Sequence, residues 1–436
     1  MSKEYRSQLY VLPESINRED YVIAKHIVRT KSKDCIKLAG EMVAEQTWGS
    51  WADLPRATFE LIEKNGGKVL SVFGVPDYTD VIPDGERNIV IELAYPIVNF
   101  GYQIPMLFTS VAGIIGMMHL KVVDLEFPQR FLDALPGPKF GIEGIRDFLN
   151  VRDRPITLSM IKPCVGMQPE ETAQLFYEVT SGGIDMIKDD EKIANTSYSS
   201  IIDRVKAVMK FEKRVFEETG FHKLYAVNIT DKPNTLMDNA KAAKDAGANM
   251  LMINVLSTGL GALQQIAESD INLPILGHPD GIGAQSWSES RGWSAHLLLG
   301  KLPRLTGADL IGYGSTYSKI LHTKESYMRV AFSLLAPIKG KKRSFPMPAG
   351  AVHAGSVKPL IDDLGIDIVL GAGGGVYAHP MGAKSGAKSI RQAIDAILKG
   401  IDLKEAAKEH KELAEAINCW GIYSEAQLES TLLLRQ

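Results

Sequence analysis

An apolar run made of Ile184, Met186 and Ile187 ends in Lys188 and three consecutive carboxylates, Asp189, Asp190 and Glu191. Charge gathered directly after such a run marks a buried parallel strand that delivers functional groups to the mouth of a barrel. Two adjacent carboxylates form a hard-oxygen site suited to Mg²⁺, which prefers carboxylate and water to sulfur or imidazole. A lysine beside them can move protons, or can become a third oxygen ligand once its amine has combined with CO₂ as a carbamate. Spacing alone leaves open a solvated charge cluster in a loop.

The elements that must position these groups repeat along the chain. Short apolar runs stand at 156–161, 184–187, 224–229, 250–255, 273–277, 310–314, 345–349 and 366–370, and helical patterns follow at 169–181, 200–219, 234–246 and 356–364. Eight strand–helix units predict a (β/α)₈ TIM barrel, and polar residues fall where its strands would end: Lys162, Lys188, Asn228, Thr230, Asn254, His278 and the glycines 373–375. In a barrel these ends share one face, so the charges converge.

Upstream, strand patterns at 20–28, 68–75 and 88–93 alternate with helical ones at 34–47 and 127–134, which predicts a small α+β domain of ferredoxin-like type. Leu135-Pro136-Gly137-Pro138-Lys139 punctuates the chain and divides it into 1–135 and 136–436. The tail, with charged helical stretches at 391–399 and 403–417, reads as a helix pair capping the barrel domain.

The 436 residues are 45% apolar and 23% charged, enough for sizeable cores. A net charge of −3 excludes a strongly basic surface for nucleic acid or anionic membrane. The three cysteines, Cys35, Cys164 and Cys419, have no zinc or disulfide spacing and fit a reducing compartment. The charged start of the chain lacks a signal-peptide core, and the apolar stretch 111–120 is too short to span a bilayer. The expectation is a cytoplasmic protein.

Gly-Gly-Ile-Asp-x-x-Lys-Asp-Asp-Glu at 182–191 resembles the signature of the ribulose-bisphosphate carboxylase (RuBisCO) large-subunit superfamily. Ile161-Lys162-Pro163, the run 371–382 around Gly373 and Gly374, the stretch 44–51 with Glu45, Ser50 and Trp51, and the stretch 137–142 resemble further motifs of that family in the same order. The resemblance implies a homodimer whose active sites lie between the barrel of one subunit and the N-terminal domain of the other. It implies that Lys188 is carbamylated and binds Mg²⁺ with Asp190 and Glu191, and that Lys162 is the acid/base at the mouth. Glu45, Ser50 and Trp51 would reach in from the partner. Gly350, Gly373 and Gly374 would present backbone N–H groups to a phosphate, as glycine runs can.

Departures from the family narrow the activity. Pro279 follows His278 where the carboxylases have arginine, and Gly312 replaces a histidine, so two groups for a second phosphate are missing. Ala349 replaces a serine and Cys164 a lysine, Ile114 stands where carboxylases have a metal-side asparagine, and Lys319 lies in surroundings unlike the mobile loop. CO₂ fixation is therefore not expected. The pattern is similar to the non-carboxylating form IV RuBisCO-like proteins, whose shared step is an enediolate stabilised by a divalent cation. In that group the methionine-salvage enolases carry a base lysine at the position of Ile114, which cannot abstract a proton. The expectation is decarboxylation, isomerisation or enolisation of a phosphorylated sugar or sugar acid, with Lys162 and His278 as proton carriers. The alternatives are a non-catalytic RuBisCO-like binding or stress-response protein, and an aldolase-like barrel with a Schiff base on Lys162.

Overall fold

The computed structural model describes residues 9–49, 54–75, 84–318 and 322–423. The chain divides into two compact units, Met1–Leu135 with Gly281–Leu298, and Pro136–Asp280 with Leu299–Gln436. The break after Leu135 falls at the proline–glycine punctuation. Nothing in the residue pattern of 281–298 marks that segment as belonging with the first unit.

The first unit runs β1 (Tyr21–Thr30), α1 (Cys35–Thr47), β2 (Lys68–Val75), β3 (Arg87–Pro96), α2 (Ile104–Ala112) and β4 (Leu120–Glu126), with a short helix Phe59–Asn65 before β2. In the sheet, β1 pairs antiparallel with β3 and β4, and β2 pairs antiparallel with β3. The resulting order 4-1-3-2 within a β-α-β-β-α-β chain is the ferredoxin-like arrangement. Asp34 caps α1 by accepting the Lys37 N–H at 2.8 Å, and the helix buries Ala39, Met42, Val43 and Ala44. The sequence pattern shows neither α2 nor β4. Lys121, Asp124 and Glu126 interrupt β4's apolar character.

The second unit holds β5 (Ile156–Met160), β6 (Met186–Lys188), β7 (Leu224–Asn228), β8 (Met250–Asn254) and β9 (Ile275–His278). Gly292–Trp293, as β10, lies in the first unit, parallel to β4. The second unit continues with β11 (Leu310–Gly314), β12 (Phe345–Ala349) and β13 (Val369–Gly371). These eight strands close a barrel in the order β11-β12-β13-β5-β6-β7-β8-β9. Leu158, Met186, Met250, Met252, Phe345 and Met347 fill it, each at most 1% exposed, so the barrel is a packed core. The outer helices start where local chemistry predicts. Gln168 and Glu171 form a capping box around Pro169 on α3 (Pro169–Ser181), and Ser200 accepts the Asp203 N–H on α4 (Ile201–Thr219). The tail holds three helices, α5 (Ala383–Leu398), α6 (Leu403–Glu409) and α7 (Lys411–Trp420), where a pair was expected. His410, extended at φ −123° and ψ 98°, breaks the second pattern.

Charges also tie the base of the barrel. Asp185, ahead of β6, accepts from both Arg154 Nη atoms at 2.6 and 2.7 Å and from the Thr157 N–H at 3.0 Å. Asp309, ahead of β11, accepts the N–H groups of Phe140, Gly141 and Ile275 at 2.8, 2.7 and 2.8 Å.

Candidate active site at the barrel mouth

Lys188 is the last residue of β6 and only 1% exposed. Its Nζ donates to the Asp189 carbonyl at 2.9 Å and stands 3.6 Å from Glu191 Oε2. Burial disfavours the ammonium and holds it below the usual lysine range, against the opposing pull of the Glu191, Asp190 and Asp189 charges.

The three carboxylates separate by role. Asp189 turns back into the protein, where Tyr225 Oη donates to it, as do the Asn228 N–H at 2.9 Å and Arg204 Nη2 at 3.1 Å. Arg204 is fully buried, so this ion pair is structural. Asp190 pairs with Lys162 Nζ, and its Oδ1 accepts the Lys192 N–H at 3.2 Å. Burial works against its charge, but hydrogen bonds from Lys162 and Cys164 hold the carboxyl below its ordinary range. Glu191, at 28% exposure, faces His278 Nε2 at 3.4 Å.

Lys162 donates to Cys164 Sγ at 3.0 Å as well as to Asp190. Burial disfavours its ammonium, yet the Asp190 hydrogen bond outweighs that and keeps Lys162 above its usual range, a proton held ready at the mouth. His278 is pushed well below the usual histidine range, first by burial and then by the Lys188 charge, and its Nδ1 has no partner. The Nδ2 groups of Asn228 and Asn254 donate to the Glu191 carbonyl at 3.3 and 3.0 Å. These asparagines hold the backbone of the carboxylate that Lys188 and His278 approach.

The strands on the other side of the mouth carry small residues. Gly371 pairs with Ala349 and with Leu158, which places the Gly373–Gly374 loop beside the end of β5 and Lys162. A Cβ on Gly375 would lie 2.3 Å from the Val352 carbonyl, so packing requires that glycine. A Cβ on Gly374 would meet nothing within 4 Å, so packing leaves that position open to an anion. Gly350 adopts φ +90° at the end of β12, which favours glycine. A Cβ on Gly312 would meet Met347 Cε at 2.8 Å and Pro279 Cδ at 3.2 Å. Apolar atoms of Met347 and Pro279 therefore crowd the position at which the resemblance implies a phosphate-binding histidine in a carboxylase.

The structure thus brings Lys162, Lys188, Asp190, Glu191 and His278 together. Glu45 lies on α1 in the first unit, where it lines a cavity of about 530 Å³ with Tyr10, Glu41, Met42 and Met118. Ser50, Trp51 and Lys319 lie outside the described residues. Ile114 is 59% exposed in a turn of the first unit, Ile114–Met117. Arg204 and Tyr225, which decide the fate of Asp189, carry no sequence signal that ties them to it.

Among the described residues no three His, Cys, Asp or Glu side chains converge as a ready metal site. Asp190 and Glu191 offer two hard-oxygen donors, and the Lys188 ammonium next to Glu191 would repel a cation. A carbamate on Lys188 would reverse that charge and add the third oxygen donor. The residues fit Mg²⁺ in that form.

A closed parallel barrel with a buried lysine and two carboxylates at its mouth, in a chain that also carries a ferredoxin-like unit, defines a class of two-domain α/β protein. Residues 141–420 match the ribulose bisphosphate carboxylase large chain catalytic domain and residues 10–131 its N-terminal domain, and the chain belongs to this family. It is 41% identical to a ribulose bisphosphate carboxylase-like protein of Archaeoglobus fulgidus, over 93% of this chain and 95% of that one. It is 36% identical to a 2,3-diketo-5-methylthiopentyl-1-phosphate enolase of Geobacillus thermodenitrificans, over 92% and 98%. A rubisco-like protein (MtnW) from Alicyclobacillus acidocaldarius has a similar structure, with a TM-score of 0.85 and 33% identity over 92% of this chain and all of that one. Among the described residues no helix is long and apolar enough to cross a membrane.

Proposed function

We propose that this protein is a RuBisCO-like enzyme that forms an enediolate from a phosphorylated sugar-type substrate and completes an enolisation, isomerisation or decarboxylation without fixing CO₂. The observation that carries this reading is the division of labour after β6. Asp189 is locked to Arg204 and Tyr225, while Lys188, Asp190 and Glu191 remain at the mouth with Lys162 and His278. The relatives named as enolases of a diketo phosphate support the substrate class.

In this reading the carbamate of Lys188, with Asp190 and Glu191, would hold Mg²⁺, which when bound supplies Lewis-acid stabilisation of charge on neighbouring substrate oxygens. The depressed basicity of Lys188 favours the free amine that must add to CO₂. Lys162 delivers the proton from Nζ, because Asp190 and Cys164 keep that nitrogen charged and in place. Ile114 offers no base, which separates this protein from enolases that take the proton at that position. Gly350, Gly373 and Gly374 receive one phosphate, and Pro279 and Gly312 leave no cationic side chain for a second. The resemblance adds a homodimer in which Glu45, Ser50 and Trp51 complete the partner's site.

The test is ¹³C NMR with labelled bicarbonate and Mg²⁺ on the protein and on Lys188→Ala. A carbamate resonance lost in the variant is expected, followed by proton exchange or CO₂ release from sugar monophosphates in D₂O. No resonance in either protein would sink the reading and favour the binding-module or Schiff-base alternative. Borohydride trapping on Lys162 would identify the latter.

A further inference from the structure

Ser159 is a polar residue with no exposed surface in the wall of the barrel, on β5 ahead of Lys162. Leu158 before it and Met160 after it pack on the barrel core, so the alternation of the strand turns Ser159 outward, to the helix layer. A buried hydroxyl needs a hydrogen-bond partner. Here the partner is the Ala372 carbonyl at 2.6 Å, in the residue that opens the glycine loop.

β5 thus grips Ala372 twice. The Ala372 N–H donates to the Leu158 carbonyl at 2.8 Å, and the Ala372 C=O accepts from Ser159. The Ala372–Gly373 peptide is trans, and in a trans peptide the C=O and the N–H point in opposite directions. With the carbonyl drawn outward to Ser159, the Gly373 N–H is turned back toward the barrel axis. A Cβ on Gly373 would lie 3.0 Å from Met160 Sδ, which puts this residue on the core side of the wall. Among the described residues, the Gly373 and Gly374 N–H groups have no acceptor. The far end of the loop comes back to the same serine: the Tyr377 hydroxyl, at the end of the short helix Gly374–Tyr377, is buried beside Ser159.

We infer that Ser159 is a positioning residue: by holding the Ala372 carbonyl outward, it aims the Gly373 N–H at the phosphate group of the substrate. This rests on the reading of Gly373 and Gly374 as phosphate donors and deepens it. Ser159 itself touches no substrate and acts through one peptide plane. Without its hydroxyl that plane is free to turn, and the donor direction is no longer fixed before the anion arrives, which costs affinity.

Calorimetric titration of inorganic phosphate into the whole chain, with Mg²⁺ and bicarbonate present, tests this in Ser159→Ala, Ser159→Val and Ser159→Thr. The last two introduce side chains of the same shape that differ in the hydroxyl, so any crowding of the wall is common to both. Ser159→Ala and Ser159→Val are expected to bind phosphate about tenfold more weakly, the worth of roughly one hydrogen bond. Ser159→Thr is expected to stay within about twofold of the unsubstituted protein. Ser159→Ala that folds and binds phosphate within about twofold of the unsubstituted protein would overturn the inference and leave the phosphate reading standing. Equal losses in Ser159→Thr and Ser159→Val would overturn it too, because packing would then be the cause. Failure of both hydroxyl-free variants to melt cooperatively would place Ser159 among the structural groups, with the same result. If the unsubstituted protein bound no phosphate, or Gly374→Ala bound it equally well, the underlying reading would fail and the inference with it.

Discussion

The two ends of the barrel use the same residue types to opposite ends. At the base, Asp185 is saturated by Arg154 and the Thr157 backbone, and Asp309 by three backbone N–H groups. Among the described residues, Arg304, whose Nε donates to the Lys342 carbonyl ahead of β12 at 3.0 Å, leaves its Nη2 unpaired there. At the mouth, Lys188 is buried with its nearest carboxylate 3.6 Å away, and His278 and Asn254 each keep a buried atom unsatisfied. Saturated charges hold strands together, whereas a buried polar group left unpaired is a cost that calls for another explanation. Asp189 shows how narrow the boundary is. It stands between Lys188 and Asp190 in the chain, yet its partners make it behave like a residue of the base.

The contrast breaks most visibly by substitution at the two ends. Lys162→Met should lower turnover by about 10²–10⁴-fold, the usual worth of a positioned proton donor, while stability falls by less than at Asp185 because Lys162 itself is half-exposed. A matching loss of stability would show that Lys162 belongs with the structural charges. Asp185→Asn should do the reverse. Removing one partner of the buried Arg154 pair should cost about 3–5 kcal/mol in urea unfolding, and the enzyme that remains folded should turn over normally.

The next effect in size is a pH dependence from the base. Burial pushes Asp309 up to about 6, above its unfolded value near 3.8, so the native state holds that proton more tightly. Its contribution is fully present below about pH 4 and is lost as pH rises through about 6, a span of roughly 2–3 kcal/mol. Unfolding free energies between pH 4 and 7, for the protein beside Asp309→Asn, should show that slope only in the unsubstituted chain.

The smallest effect compares the neighbouring glycines Gly374 and Gly375 after β13. Gly374→Ala should leave thermal stability unchanged, since its Cβ would meet no protein atom within 4 Å, and, if the proposed phosphate role holds, weaken phosphate affinity by about tenfold. Gly375→Ala, driven against the Val352 carbonyl, should lower the melting temperature instead. Equal behaviour of the two would remove the distinction between packing glycines and binding glycines.

Much of this was legible in the residues. The runs at 224–229, 250–255 and 310–314 are apolar on both faces and short, and they became β7, β8 and β11, because strands covered on both sides cannot alternate. Lys188 with its carboxylates was visible for the same reason, as charge breaking an apolar run. The short strand β10 was not legible, because two residues carry no periodicity and their pairing with Lys121 and Val122 of β4 is set at long range. Nor was the break at His410, where the helical pattern continues through a residue whose backbone is extended.

By itself the sequence determined that the chain makes a barrel, where its strands end, and which charged groups arrive at the mouth. These follow from local periodicity and from the one-way geometry of parallel strands. Only the tertiary structure decided which of three adjacent carboxylates is bound to Arg204, which to Lys162, and which lies between Lys188 and His278. It alone showed that Asn254 and His278 each retain a buried polar atom without a partner. Whether a polar atom is satisfied depends on partners far away in the chain, and no spacing rule encodes them.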